Sequence, residues 1–285
     1  MVLTSGALYT IKKRAVALAE LEDWAGLVGG RDDSFNDLSV TMLMTPGGNT
    51  FASPFLAAAS DGRRYWVKCV DTCPEYAKMS VAIEHIVSGV GRLIGAPVCD
   101  SSLIRIPDEL TGSPAGRGHL KAGIAHASLA LPNAIERRHA LASRSQDDNQ
   151  RRQASIYALW DWCFGCDPQW LYDLDSDESI YSHDHGLYLP TNDGHWKRSY
   201  LVQCADEPNE LPDAPHGLSE EAVEEVSAAL EKINRDALVN VLRGVPASWP
   251  VSDDDLEALG WFLEHRAPAV ADRVRSLIGR EVRSR

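Results

Sequence analysis

The two hydrophobic periods of this chain are kept apart along its length. From Leu38 the pattern is extended: "LSVTMLM", a turn at "TPGGNT", then "FASPFLAAAS", the hairpin dipeptide Asp61-Gly62, and "RRYWVKCV". From Leu218 it is helical. Ser219 caps a stretch with Val223, Val226, Leu230 and Ile233 on one face, and Ser252, followed by three aspartates, caps another through Leu256, Leu259 and Leu263. A chain that runs strands first and helices afterwards is expected to fold as α+β, with an antiparallel sheet at one end and a mostly helical layer at the other.

Between these halves, "SVAIEHIVSGVGRLIGAPV" sets Ile83, Ile86, Val87, Val90 and Ile94 on one helical stripe, stops at Gly95 and has Pro97 beyond. Glu84 lies near the edge of that stripe. "PDELTGSPAGRGHLK" reads as an exposed loop, "AGIAHASLALP" as a strand and "ASIYALWDWCFG" as a buried helix ending at Gly165. "CDPQWLYDLDSDES" and "IYSHDHG" follow as a loop and a short strand. Ahead of the sheet, "KRAVALAELEDWAG" has the spacing of a short helix and "GGRDDS" breaks it; residues 1–36 are read as an N-terminal extension with no function assigned.

Composition removes several function classes. At 285 residues, 44% hydrophobic and 24% charged, the chain is of ordinary globular make-up and long enough to bury a sizeable core. A net charge of −13 disfavours broad binding to nucleic acid or an anionic membrane, so no direct nucleic-acid partner is expected. No stretch approaches the ~20 apolar residues of a membrane span, and the N-terminus lacks a signal peptide's charged start and apolar core. The expectation is a cytoplasmic chain with no membrane partner. Its six cysteines, Cys69, Cys73, Cys99, Cys163, Cys166 and Cys204, are too sparse for a disulfide framework and read as reduced thiols.

Three site chemistries fit poorly. A zinc cage would have to draw on Cys69 and Cys73, Cys163 and Cys166, and His183 with His185, but Cys163 ends an apolar helix and Cys69 lies in a strand, where burial accounts for them. No G-x-S-x-G elbow supports a hydrolase. "TPGGNTFASP" has neither the G-K-[ST] ending nor the following helix of a P-loop, and taken alone is a hairpin turn.

A constellation in chain order remains: a glycine turn between strands, Lys68 on the next strand, Glu84 in the following helix, Asp167 after the buried helix, and Asp184 before a glycine two residues on. Phosphoryl transfer from ATP needs such parts: a lysine to steady the phosphates, a glutamate to orient it, an aspartate to position the acceptor hydroxyl and a carboxylate to hold the metal. Each has a bland reading. Lys68 would be an edge charge, Glu84 a solvated helix residue, and Asp167, which precedes Pro168, a turn initiator. His183 and His185 read as hydrogen-bonding residues around the loop, and Trp160, Trp162 and Trp170 as core. "ERRHALASRSQDDNQRR" reads as a solvated segment.

"SPFLAAASDGRRYWVKCV", "AIEHIVSGVGRLIGAPV", "WDWCFGCDPQWLYD" and "IYSHDHGLYLP" together resemble the HipA-like kinases, a bacterial branch of the protein-kinase-like fold, over roughly residues 40–265. The resemblance implies a two-lobed fold: an N-terminal nucleotide-binding lobe over 37–130 and a helical C-terminal lobe over 131–285. It implies that Lys68 contacts the phosphates of ATP, that Glu84 pairs with it, that Asp167 is the catalytic-loop aspartate, and that Asp184 binds Mg2+. Gly47, Gly48, Asn49 and Ser53 would cover the phosphates, and Gly123–Ser128 would supply the strand beside adenine. The family's asparagine five residues after the catalytic aspartate, a second metal ligand, is Tyr172 here, and the asparagine often found two residues before it is Gly165. Tyrosine is a poor magnesium ligand, which brings in Asp173 as a substitute. The implied activity is ATP-dependent transfer to a hydroxyl, of a protein serine or threonine first. The alternatives are a pseudokinase that binds partners in a toxin-antitoxin or phage-defence setting, and a small-molecule kinase.

Overall fold

The computed structural model describes residues 19–35, 37–45, 52–191 and 195–279. Strands β1 (Val40–Thr45), β2 (Phe55–Ala59) and β3 (Arg64–Lys68) form consecutive antiparallel pairs, with Asp61-Gly62 at the β2–β3 turn. Gly62 sits at a φ of 79°, the left-handed geometry that favours glycine. Helix α1 (Ser80–Leu93) follows, then β4 (Ser101–Ile106), the short hairpin β5 (Pro114–Ala115) and β6 (Gly118–His119), and β7 (Gly123–Leu129). The strand order is β1-β2-β3-β7-β4, so β7 fills the gap between β3 and β4.

Beyond β7 the chain makes β8 (Ala134–Arg138), helix α2 (Asn149–Trp162), β9 (Gln169–Asp173) and β10 (Ser179–Ser182), which pair as β10-β9-β8. Helices α3 (Arg198–Cys204), α4 (Glu220–Glu231), α5 (Arg235–Arg243) and α6 (Asp253–Gly279) complete the second half. The expected caps are made. Ser219 accepts from Ala222 N at 3.2 Å and Ser252 from Asp255 N at 3.1 Å, each closing an orphan amide of a first turn rich in acidic residues. The architecture is α+β, an antiparallel sheet with one helix followed by a mostly helical part, as the order of periods required.

Two apolar cores form. The smaller lies on the sheet, around Phe55, Tyr65, Val67, Ile104 and Ala127. The larger fills the helical half and also takes in α1, through Val81, Ile83, Ile86, Val87 and Val90. Gly89 lets α1 approach α5, because a Cβ there would stand 2.7 Å from a Val241 methyl. Helix α1 is therefore shared by both halves, and whatever it carries is fixed relative to each.

Residues 19–35, read from sequence as an extension without a role, pack against the C-terminal helices. Trp24 is fully buried, its Nε1 donates to Glu264 at 2.8 Å, and its ring lies so close to α6 that a Cβ at Gly260 would meet it at 2.1 Å. Arg31 donates to Asp253 at 2.5 Å and to the carbonyl of Val251 at 2.8 Å. Asp161 in α2 is buried with Arg266 at 2.8 Å and Arg273 at 2.6 Å, locking α2 to α6. Among the described residues, no helix is long and apolar enough to cross a membrane.

Candidate active site

Strand alternation puts Trp66 and Lys68 on one face of β3, yet their fates differ. Trp66 is 43% exposed, whereas Lys68 is 7% exposed, because α1 and the loop after β10 close over that end of the strand. Lys68 Nζ donates to Glu84 Oε2 of α1 at 2.6 Å and to Asp184 Oδ1 at 2.5 Å. The sheet, the shared helix and the Asp-His-Gly loop thus meet at one ammonium group. Gly186 allows the meeting, since a Cβ there would stand 3.1 Å from Ser80 Cβ.

The charges reinforce one another. Burial opposes the Lys68 ammonium, but Asp184 and Glu84 outweigh it and raise its pKa. Burial likewise opposes ionisation of Glu84, and Lys68, with His185 and His126 behind it, holds that carboxyl well below the ordinary range. Lys68 also lowers Asp184, against burial and the like charge of Glu84. All three are ionised at neutral pH.

Three histidines surround the cluster. His185 Nδ1 lies 3.4 Å from Glu84 Oε1, and its Nε2 shares a 2.9 Å hydrogen bond with Ser182 Oγ. His126 is the register partner of Lys68 on β7, fully buried, with Nε2 3.1 Å from Ser128 Oγ. Burial pushes its pKa down to about 3 despite Glu84 nearby. His85, one helical residue after Glu84, stacks edge-on to His126 at 5.8 Å, and burial lowers it to about 4. Only the position of His126 across from Lys68, in a strand pairing the sequence alone does not give, could have drawn attention to it.

Asp167 and Asp184 both adopt left-handed backbone, at φ values of 56° and 54°, which aspartate tolerates better than most residues. The loop before Asp167 is tightly built. A Cβ on Gly165 would meet the Trp160 ring at 2.5 Å, and Asn209 Nδ2 donates to the Gly165 carbonyl at 2.9 Å. An asparagine two residues before Asp167 has no room here. Asp167 Oδ2 accepts from Gln169 Nε2 at 2.7 Å, a partner with no signal in the sequence reading.

The residues brought forward for a second metal lie elsewhere. Tyr172 is fully buried on β9, its hydroxyl accepts from Ala142 N at 2.8 Å, and its ring sits under Arg137 at 4.6 Å. Asp173 is the register partner of Ser179, at the far end of the β9–β10 hairpin from Ser182 and the Asp184 loop. Its carboxylate accepts from Asp175 N and Ser176 Oγ, each at 3.0 Å, capping its own turn. The reason is periodicity: a strand of alternating side chains aims Tyr172 into the core and leaves Asp173 at the hairpin's end.

Of the expected phosphate-covering residues, Gly47, Gly48 and Asn49 lie outside the described residues. Ser53 is buried at a φ of 46°, and a Cβ on Gly116 of the β5–β6 hairpin would stand 2.6 Å from its carbonyl oxygen. Gly123–Ser128 falls in β7, from which the chain passes directly to β8 and the second half.

The donor set suits one hard divalent cation. Asp184 is ionised, its side chain is 37% exposed, and Oδ2 takes no hydrogen bond among the described residues. No cluster of three or more His, Cys, Asp or Glu side chains gathers among the described residues, so such a cation would need oxygens from a ligand such as a phosphate. A surface groove of about 420 Å³ beside Leu93, Ala229 and Lys232 contains none of these groups.

Residues 41–167 match the family model described as HipA-like kinase, a span that holds Lys68, Glu84 and Asp167. The crystal structure of a Helicobacter pylori proinflammatory kinase, CtkA, aligns over 87% of this chain and 98% of its own, at 11% identity and a TM-score of 0.52, which shows a shared fold. The Golgi casein kinase with Mn and ADP bound aligns over 90% of this chain and 76% of its own, at 9% identity and a TM-score of 0.45. No curated protein matches the chain. Residues 41–167, which hold the buried lysine, its glutamate and the aspartate beyond the buried helix, are thus similar to the HipA-like kinases, and the chain as a whole shares its fold with a kinase.

Proposed function

We propose that this chain transfers the γ-phosphoryl group of ATP to a hydroxyl, that of a protein serine or threonine. One observation carries the reading: Lys68 is buried between two carboxylates on separate elements, Glu84 and Asp184. Buried ion pairs are seldom more stable than apolar packing of the same volume, so stability alone is a weak reason to keep three charges there. A poised phosphate clamp is a better one.

Magnesium-ATP, when bound, supplies the phosphoryl group and a cation that offsets phosphate charge. Lys68 turns its ammonium from Asp184 toward the phosphate oxygens, with Glu84 fixing its direction. Asp184, released from Lys68, would hold the metal with its ionised carboxylate. On the resemblance, Gly47, Gly48, Asn49 and Ser53 would cover the phosphates. Asp167 positions the acceptor hydroxyl and takes its proton as that oxygen bonds to the γ-phosphorus, while the bond from the γ-phosphorus to the β–γ bridging oxygen breaks and ADP departs.

The test is transfer of label from γ-labelled ATP to the chain itself and to casein as a generic serine-rich acceptor. Asp167→Asn is expected to lower turnover by about 10²–10⁴-fold. Equal ATP turnover in the variant and the natural chain, with no label on either acceptor, would overturn the enzymatic reading. The second reading, a pseudokinase that binds partners without turnover, is favoured by the inward-facing Tyr172, and that result would leave it standing.

A further inference from the structure

Strand β8 places two arginines side by side in sequence and on opposite faces. Arg137 turns inward, over Tyr172 and to Glu178 at 3.1 Å. Arg138 turns outward, with half of its side chain exposed, toward the mouth of the site. It is the register partner of Gln169, and its Nη2 donates to Gln169 Oε1 at 3.1 Å. Gln169 is buried, and its Nε2 donates to Asp167 Oδ2 at 2.7 Å. A single amide therefore spans the catalytic-loop aspartate and a guanidinium, fixing both.

The guanidinium lies in the field of the site. Glu136 first, and beyond it Asp167 and Asp184, raise its pKa. Its Nε is paired with Glu136 at 2.6 Å, two residues back on the same strand face. Exposed pairs of this kind are worth about 0–1 kcal/mol, so a phosphate oxygen, carrying more charge and matching the guanidinium fork, displaces the carboxylate easily. Nη1 has no hydrogen-bond partner among the described residues. Where the HipA-like kinases place an asparagine for a second metal, this chain has an inward-facing tyrosine, and the guanidinium that Gln169 ties to Asp167 is that of Arg138.

We infer that Arg138, held by Gln169, binds the phosphoryl group in transfer and supplies there the positive charge that a second metal ion would bring. The inference rests on the phosphotransferase reading above. Arg138 is a catalytic residue in it, touching the transferring oxygens, and Gln169 is a positioning residue that acts through Arg138 and Asp167. Guanidinium contact with the equatorial oxygens stabilises charge as the bond to the bridging oxygen lengthens, so its effect falls on the transition state more than on ground-state ATP.

The experiment measures binding of Mg-ADP and of Mg-ADP with aluminium fluoride, a mimic of the phosphoryl group in flight, to the full chain and to its Arg138→Gln, Arg138→Lys and Gln169→Leu variants. The natural chain is expected to bind the fluoride complex more tightly than ADP. Arg138→Gln should reduce that preference by about tenfold to a hundredfold with ADP affinity little changed, as for loss of a charge-assisted hydrogen bond. Arg138→Lys should recover part of it, and Gln169→Leu should reduce it at unchanged thermal stability. A preference unaltered by Arg138→Gln overturns the inference and leaves the phosphotransferase reading intact. Failure of the natural chain to bind either complex overturns that reading, and the inference with it.

Discussion

Gly186 of the Asp-His-Gly loop lies against Ser80 of α1, where an added Cβ would stand 3.1 Å from Ser80 Cβ and 3.7 Å from Glu84 Oε2. That contact sets the distance between Asp184 and Glu84, and hence whether one ammonium reaches both. Gly186→Ala should push the loop from the helix. The expected cost is about 1–3 kcal/mol, as for overpacking elsewhere. Denaturant unfolding checks it, and a variant as stable as the natural chain would show that the loop yields freely.

Lys68→Met removes the ammonium that bridges Glu84 and Asp184 and leaves a buried and a partly exposed carboxylate facing one another. The expected loss is about 3–5 kcal/mol, recovered in part by adding Glu84→Gln. A double-mutant cycle on unfolding free energy measures this coupling. Additive effects would mean that the three charges do not act together.

Stability should fall steeply as pH drops below 6.5. His85 and His126 have folded pKa values near 4 and 3, against 6.5 when free, so between these limits the unfolded chain binds protons that the folded one does not. Their contribution is present above pH 6.5 and is lost as pH falls, by about 1.4 kcal/mol per pH unit for each histidine. Glu84 and Asp184, both lowered, add a loss of the same sign below their ordinary values of 4.5 and 3.8. The groups facing the two histidines are Arg92, Lys68, Glu84 and His185. Unfolding free energy measured from pH 7 to 4.5 should show the slope, and His126→Asn should roughly halve it; an unchanged slope contradicts the assignment.

Placing at 172 the asparagine of the HipA-like kinases should not create a second metal site. Tyr172→Asn takes a buried ring from beneath Arg137 and a hydroxyl from Ala142, at an expected cost of about 3–5 kcal/mol, with no gain in magnesium affinity. Thermal unfolding with and without magnesium and ADP tests both parts. A gain in magnesium dependence would show that position 172 faces the site.

The sequence disclosed the parts that depend on local pattern. Segregated periods gave the α+β order, the Ser219 and Ser252 caps were readable as residue types, and Lys68, Glu84 and Asp184 stood in an order that the fold brings to one point. It could not disclose what depends on strand register and long-range packing. His126 matters because β7 inserts beside β3, Gln169 because β9 pairs with β8, and Trp24 because it closes on Gly260, 236 residues away by numbering. Proximity in sequence points to Asp173, whereas the hairpin carries it to the end away from Ser182 and the Asp184 loop.

The central claim is that the Lys68–Asp184 contact opens to receive a nucleotide with its metal. Calorimetric titration with a non-hydrolysable ATP analogue, with and without magnesium, on the natural chain and on Asp184→Asn, tests it most directly. Asparagine tolerates the left-handed backbone at 184, so the fold should persist. The account predicts binding that magnesium strengthens in the natural chain and does not strengthen in the variant. No binding under either condition, or binding equally strong with and without magnesium in both proteins, would contradict it.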